Sequence, residues 1–191
     1  VSLREFLRAA TRPAHARIDH HPLMARLVRG RLNAENYGTA LSALYALHAP
    51  IEKSFGTYLS APDFAPPRRS VDLALDLAEL GLDASAVAPL WVGCQPDSHA
   101  AYVGMRYVIE GSALGGAVIA RQLDQRLPVA LMAATRFYCR STEAEEWPRF
   151  WGLVTRLEPI DADLACRRAV GLFSEIEALW DAHLGGDISQ K

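Results

Sequence analysis

The segment Tyr107-Val108-Ile109-Glu110-Gly111-Ser112-Ala113-Leu114-Gly115-Gly116 sets three glycines inside an apolar stretch with helical periodicity. Each glycine costs a helix about 1 kcal/mol relative to alanine. A helix carrying that cost usually lets something come close to its backbone. Two readings fit. Gly111 and Gly115 have the GxxxG spacing of close helix packing. The adjacent pair Gly115-Gly116 invites bending, and a bent surface without side chains suits a flat, metal-centred ligand. The apolar run is interrupted by Glu110 and is too short for a membrane span.

The rest of the chain reads as helix after helix, which makes it all-α. Ser2 and Glu5 have capping-box spacing, with Leu3, Phe6, Leu7 and Ala10 on one face behind them. Pro13 should kink or restart this helix, leaving a second part from His15 to Arg29 that ends at Gly30. Asn33 is placed to cap a long helix through Tyr37, Leu41, Leu44 and Ile51. A Pro-rich loop over Ala61 to Pro67 precedes a shorter helix from Arg69 to Leu80, stopped by Gly81. Asp97 should cap the glycine-bearing helix, which runs to about Leu127. Thr142 and Glu145 repeat the capping-box spacing before a Trp-rich helix. The last helix is expected over Asp161 to His183, ended by Gly185-Gly186. No strand pair, repeat or low-complexity tract is evident, and a single domain over residues 1–191 is expected.

Twenty Lys plus Arg against 22 Asp plus Glu leave a net charge of −2, which does not suggest nucleic acid or an anionic membrane surface as partner. Cys94, Cys139 and Cys166 are widely spaced, without a CxxC pair, and fit reduced thiols. The N-terminal residues show helical patterning and no apolar signal core. A cytoplasmic protein is the expectation.

Among six histidines, His15 differs because Asp19 lies four residues later on the same helical face. A carboxylate there, or a water it holds, can accept a hydrogen bond from Nδ1 and leave Nε2 to bind a metal. His20 and His21, before Pro22, read as solvent-exposed. His48, His99 and His183 show no cluster at ligand spacing. Arg8 stands two turns before His15, either as a solvated surface cation or beside an anionic ligand edge. Trp147, Phe150 and Trp151 read as a core stripe. Ser42 and Ser112 lack the surroundings of a nucleophile elbow, and no P-loop or dinucleotide fingerprint is present.

Ala10-Thr11-Arg12-Pro13-Ala14-His15 resembles the proximal helix of the haem oxygenases, and Glu110-Gly111-Ser112-Ala113-Leu114-Gly115 resembles the distal helix of their bacterial members. The resemblance extends over almost the whole chain. It implies a helical fold with haem b held between the two helices, as cofactor and substrate. The ring would be opened to biliverdin with release of CO and ferrous iron, using O2 and electrons from a separate reductase of ferredoxin or flavoprotein type. Position by position, it implies His15 as iron ligand, with Asp19 behind it. Arg8 would stand at a propionate, with Met24, Tyr107 and Phe173 against the macrocycle. Gly111, Ser112 and Gly115 would form the distal catalytic wall, where backbone amides and ordered water replace a distal His or Arg.

The chain also departs from the animal members. Ser112 stands where they carry an Asp, as in bacterial relatives, and Val170 and Ser174 replace a Lys and an Arg on the last helix. A haem carrier or sensor of the same fold is the alternative from another class. A di-iron protein of similar architecture would need Glu-x-x-His pairs on facing helices, and the chain has none.

Overall fold

The computed structural model describes residues 2–29, 32–59, 68–89, 91, 93, 95–140, 145–157 and 159–188. Among them are eight α-helices and no strand: α1 (Leu3–His20), α2 (Pro22–Val28), α3 (Ala34–Tyr58), α4 (Arg69–Glu79), α5 (His99–Arg126), α6 (Arg136–Arg140), α7 (Glu146–Leu157) and α8 (Ala162–Ile188). The all-α expectation holds. Gly30, the Ala61–Pro67 loop, Cys94 and Thr142 lie outside the described residues.

Local chemistry sets most helix ends. The Ser2 hydroxyl accepts from the Glu5 amide at 3.3 Å, and the Glu5 carboxylate accepts from the Ser2 amide at 2.7 Å. That backbone bond holds the Glu5 carboxyl below its ordinary value. Asn33 and Asn36 make the same reciprocal cap for α3. Gly81, at φ 74°, ends α4. Its amide bonds to the Ala78 carbonyl and the Leu82 amide to the Leu77 carbonyl, the paired bonds of a Schellman stop.

Three boundaries differ from expectation. α1 passes through Pro13 without a break, and the chain turns instead at His21. Pro22 occupies the first position of α2, where its missing N–H costs nothing, and Nδ1 of His21 accepts from the Leu23 amide at 3.2 Å. Ser98, not Asp97, caps α5, because its hydroxyl reaches the Ala101 amide at 3.2 Å. α8 continues through Gly185-Gly186 to Ile188. Glycine stops a helix by turning left-handed, and Gly81 is the described glycine with a positive φ.

α8 packs on both α1 and α5, and α3 packs on α4. The closest approach is made by Gly104 of α5. A Cβ there would stand 3.0 Å from the carbonyl carbon of Ala165 on α8, and nearer still to its oxygen. The core runs along this seam through Leu7, Tyr102, Val103, Leu172 and Phe173, all buried. No described helix is long and apolar enough to cross a membrane.

Candidate haem site

Between α1–α2 on one side and α5 on the other lies a largely apolar cavity of about 610 Å³. That size lies within the range of sites for small molecules and cofactors. α3, α6, α7 and α8 supply the remaining lining.

His15 stands in the cavity wall. Its Nδ1 is 2.9 Å from Oδ2 of Asp19, one helical turn on. With Nδ1–H directed at the carboxylate, Nε2 carries the lone pair. The edge of Phe173 meets the imidazole with ring centroids 5.8 Å apart. One turn before His15, the buried Thr11 hydroxyl donates to the Leu7 carbonyl at 2.8 Å, within α1.

Facing this wall, α5 presents Tyr107, Gly111, Ser112, Gly115 and Gly116 to the cavity. Nothing lies within 4 Å of a Cβ built on Gly115, and a Cβ on Gly111 would meet only the Trp147 ring, at 3.9 Å. The two open readings of the glycine segment therefore separate: Gly104 carries the helix packing, whereas Gly111 and Gly115 border open space. α5 is unbroken here, so its amides are committed to carbonyls four residues back. The glycine wall therefore offers shape rather than free amide donors. Ser112 gives its hydroxyl proton to the Ile109 carbonyl at 2.6 Å.

A buried charge cluster braces α5 from behind. Arg69 of α4, 1% exposed, donates to the Ile109 carbonyl at 2.6 Å, to Glu110 at 3.1 Å and to Glu146 at 2.6 Å. Arg106 donates to the other oxygen of Glu110 at 2.9 Å. Burial pushes the Glu110 carboxyl up, and the two guanidiniums pull it back.

Most of the expected site residues come together. His15, Asp19, Met24, Tyr107, Gly111, Ser112, Gly115 and Phe173 all line the one cavity. Arg8 does not line it and lies exposed on α1. Trp147 is more than core stripe, since it lines the cavity and holds Tyr107 at a ring distance of 5.6 Å. His21 is buried rather than solvent-exposed: it packs on Trp180 and bonds through Nε2 to Asp181 at 3.1 Å. His48 also lines the cavity, 2% exposed. Its sequence signal was the same as that of His15, a carboxylate four residues on at Glu52.

A flat, largely apolar group with a metal at its centre fits these walls. One side offers an imidazole with a free nitrogen, and the other is cleared of side chains. Among the described residues, no group of three or more His, Cys, Asp or Glu could hold a bare metal ion. Comparison with known proteins agrees with this geometry. The family model described as heme oxygenase matches residues 1–170. A protein of Xanthomonas campestris pv. campestris (strain 8004) named "Heme oxygenase" is 34% identical over 131 residues, covering 67% of this chain and 77% of that one.

Proposed function

The chain belongs to the haem oxygenase family and is an enzyme that degrades haem, and within that activity we propose that His15 holds the iron of haem b through Nε2 while Gly111, Ser112 and Gly115 wall its opposite face. Bound haem supplies the iron that activates O2 and is itself the ring opened to biliverdin, with release of CO and ferrous iron. The chain's residues supply orientation and control of water and protons.

Asp19 accepts the Nδ1–H of His15, which fixes the tautomer and the ring plane. A neutral imidazole donates less electron density than a thiolate would. Met24, Tyr107 and Phe173 provide apolar contact for the macrocycle, with Tyr107 held by Trp147 and Trp151. Arg8, two turns before His15, is the proposed partner of a propionate at the cavity mouth. The wall from Gly111 to Gly116 carries no side chain able to act as a strong acid. Protons must therefore come through water or from another wall.

Electrons come from a separate reductase, and we assign it to the ferredoxin or flavoprotein type, acting in the cytoplasm. Turnover with each class of purified donor tests that assignment.

The observation that carries the site assignment is the open space at Gly115, in a helix whose packing glycine lies elsewhere. Haem titration of Gly115→Leu tests it. The apo-protein should keep its thermal midpoint while haem affinity or turnover falls at least tenfold. A folded variant that binds and degrades haem at the wild-type rate would remove Gly115 from the site.

A further inference from the structure

Seven buried side-chain polar atoms have no protein partner among the described residues, and four of them belong to residues lining this one cavity: His48 Nδ1, Gln122 Oε1, Tyr138 Oη and Trp180 Nε1. Leaving a polar atom buried and unpaired costs roughly 1–3 kcal/mol, so such atoms are normally met by ordered water or a ligand. The cavity is thus bordered by unpartnered polar groups of α3, α5, α6 and α8 besides the His15–Asp19 pair.

Of these four, only the imidazole of His48 can accept a proton on one ring nitrogen while the other gives one up. Its ring lies against Phe137, with centroids 5.4 Å apart, and Phe137 in turn packs on Tyr138. Nδ1 stands 3.5 Å from Oε1 of Glu52, long for a hydrogen bond but close enough to become one with a small rotation. Glu52 is 8% exposed and accepts from the Ser70 amide at 3.1 and 3.2 Å and from the Ser70 hydroxyl. Ser70, in the first turn of α4, is only partly buried. A row of polar groups thus leads from the partly exposed Ser70 through Glu52 to His48 at the cavity wall, with one gap, between Glu52 and Nδ1, for a small rotation to close.

We propose that His48, Glu52 and Ser70 form a proton relay that feeds the cavity from the α3–α4 side. This rests on the haem-degrading reading, because reduction of O2 forms water and consumes protons inside the cavity. A proton taken from solvent beside Ser70 protonates the Glu52 carboxylate. Glu52 passes it to Nδ1 of the neutral imidazole, and Nε2 releases its own proton to cavity water. The carboxylate is regenerated, and tautomer exchange resets the ring, for a net transfer of one proton. Burial holds the Tyr138 phenol protonated, so it can anchor a water but cannot act as the relay. Gln122 faces the same cavity from α5 with no charge. Three carboxylates of α4 lie against α6, each already engaged: Asp76 with the Phe137 amide, Asp72 with Arg140 and Glu79 with Arg136.

The test combines His48→Leu, His48→Gln and Glu52→Gln with two readouts. In the apo-protein, the His48 imidazole is titrated by NMR in wild type and in Glu52→Gln. Loss of the neighbouring anion should lower its midpoint. In the haem-loaded protein, all three variants should keep the wild-type absorption spectrum. They should turn over at least tenfold more slowly at pH 8, with a rate that falls more steeply with pH as supply reverts to bulk water. Wild-type rates and pH profile in the folded variants would overturn the relay, as would a His48 midpoint that Glu52→Gln leaves unmoved. Loss of the haem spectrum in both His48 variants would also overturn it, in favour of a packing role. If His48→Leu does not fold, His48→Gln and Glu52→Gln decide. His15→Ala separates the two levels: its failure to change the haem spectrum would undo the ligand assignment and leave the apo-protein titration standing.

Discussion

Gly104 of α5 meets Ala165 of α8 so closely that a single added methyl group would run into the Ala165 backbone. Eleven residues later on the same helix, Gly115 has nothing within 4 Å of the same methyl. The two glycines predict opposite outcomes. Gly104→Ala must push the helices apart at a buried crossing and should cost about 1–3 kcal/mol or more in the apo-protein. Gly115→Leu should leave apo stability level or slightly improved, because leucine favours the helix by several tenths of a kcal/mol. Thermal unfolding of the two apo variants side by side checks this. A Gly104→Ala variant as stable as wild type would show that the crossing is looser than described.

His15→Ala should fold, since the side chain is about half exposed. It should bind haem without the imidazole signature, and added free imidazole should restore part of the turnover. Asp19→Asn keeps the size but offers an amide in place of the anion. Its haem complex should retain the ligand while its iron–imidazole vibration shifts. An unchanged spectrum in His15→Ala would exclude it as the ligand.

Arg8 should matter modestly. An exposed ion pair is worth about 1 kcal/mol or less, so Arg8→Ala should weaken haem binding by no more than about fivefold. If the propionates set how the ring sits, the ratio of biliverdin isomers should change with it. Identical affinity and an identical product would take Arg8 out of the site.

The His15–Asp19 and Gly111–Gly115 pairs were legible because each is local: spacing along one helix decides which residues share a face. The caps at Ser2, Asn33 and Gly81 were legible for the same reason. Contacts between helices were not. Nothing in the run Val103-Gly104-Met105 says that α8 crosses there, and Arg69 gives no local sign that its partners lie on α5 and α7. His48 falls between these cases. Its carboxylate four residues on could be read from the sequence, but only the packing of α3 under α5 and α6 shows that it reaches the cavity. Pro13 does not end α1, and the chain turns instead at His21 and Pro22, about two turns later.

Asp76 should leave a pH signature. It is fully buried and accepts from the Arg136 and Phe137 amides at 3.0 and 2.9 Å, yet burial holds its carboxyl above the ordinary value. A carboxyl raised in this way binds its proton more tightly folded than unfolded. Its contribution to stability is therefore greatest below the unfolded value and declines as pH climbs through the folded one. Asp76→Asn loses an acceptor and should be less stable throughout. The gap to wild type should narrow as pH rises from 4 to 7, because only wild type carries the titration. A gap that widens with pH would mean that the fold favours the ionised form.

The charge cluster behind α5 gives the sharpest test of what holds the distal wall. Arg69 and Arg106 balance Glu110 and Glu146, two cations against two anions. Arg69→Met removes one cation from a site where Glu110 is 2% exposed, leaving a surplus negative charge with little water to screen it. Breaking a buried pair from one side typically costs about 3–5 kcal/mol. Glu146→Gln added to Arg69→Met restores the balance, with Arg106 still paired to Glu110. The double variant should therefore recover at least about 1 kcal/mol over Arg69→Met alone, a coupling that a double-mutant cycle in urea would read directly. Haem binding should follow the same order, because Arg69 also holds the Ile109 carbonyl and reaches the Ser112 hydroxyl at 3.4 Å. Equal stability of the single and double variants would show that charge balance does not hold this wall, and that Arg69 acts there through its bonds to Ile109 and Ser112.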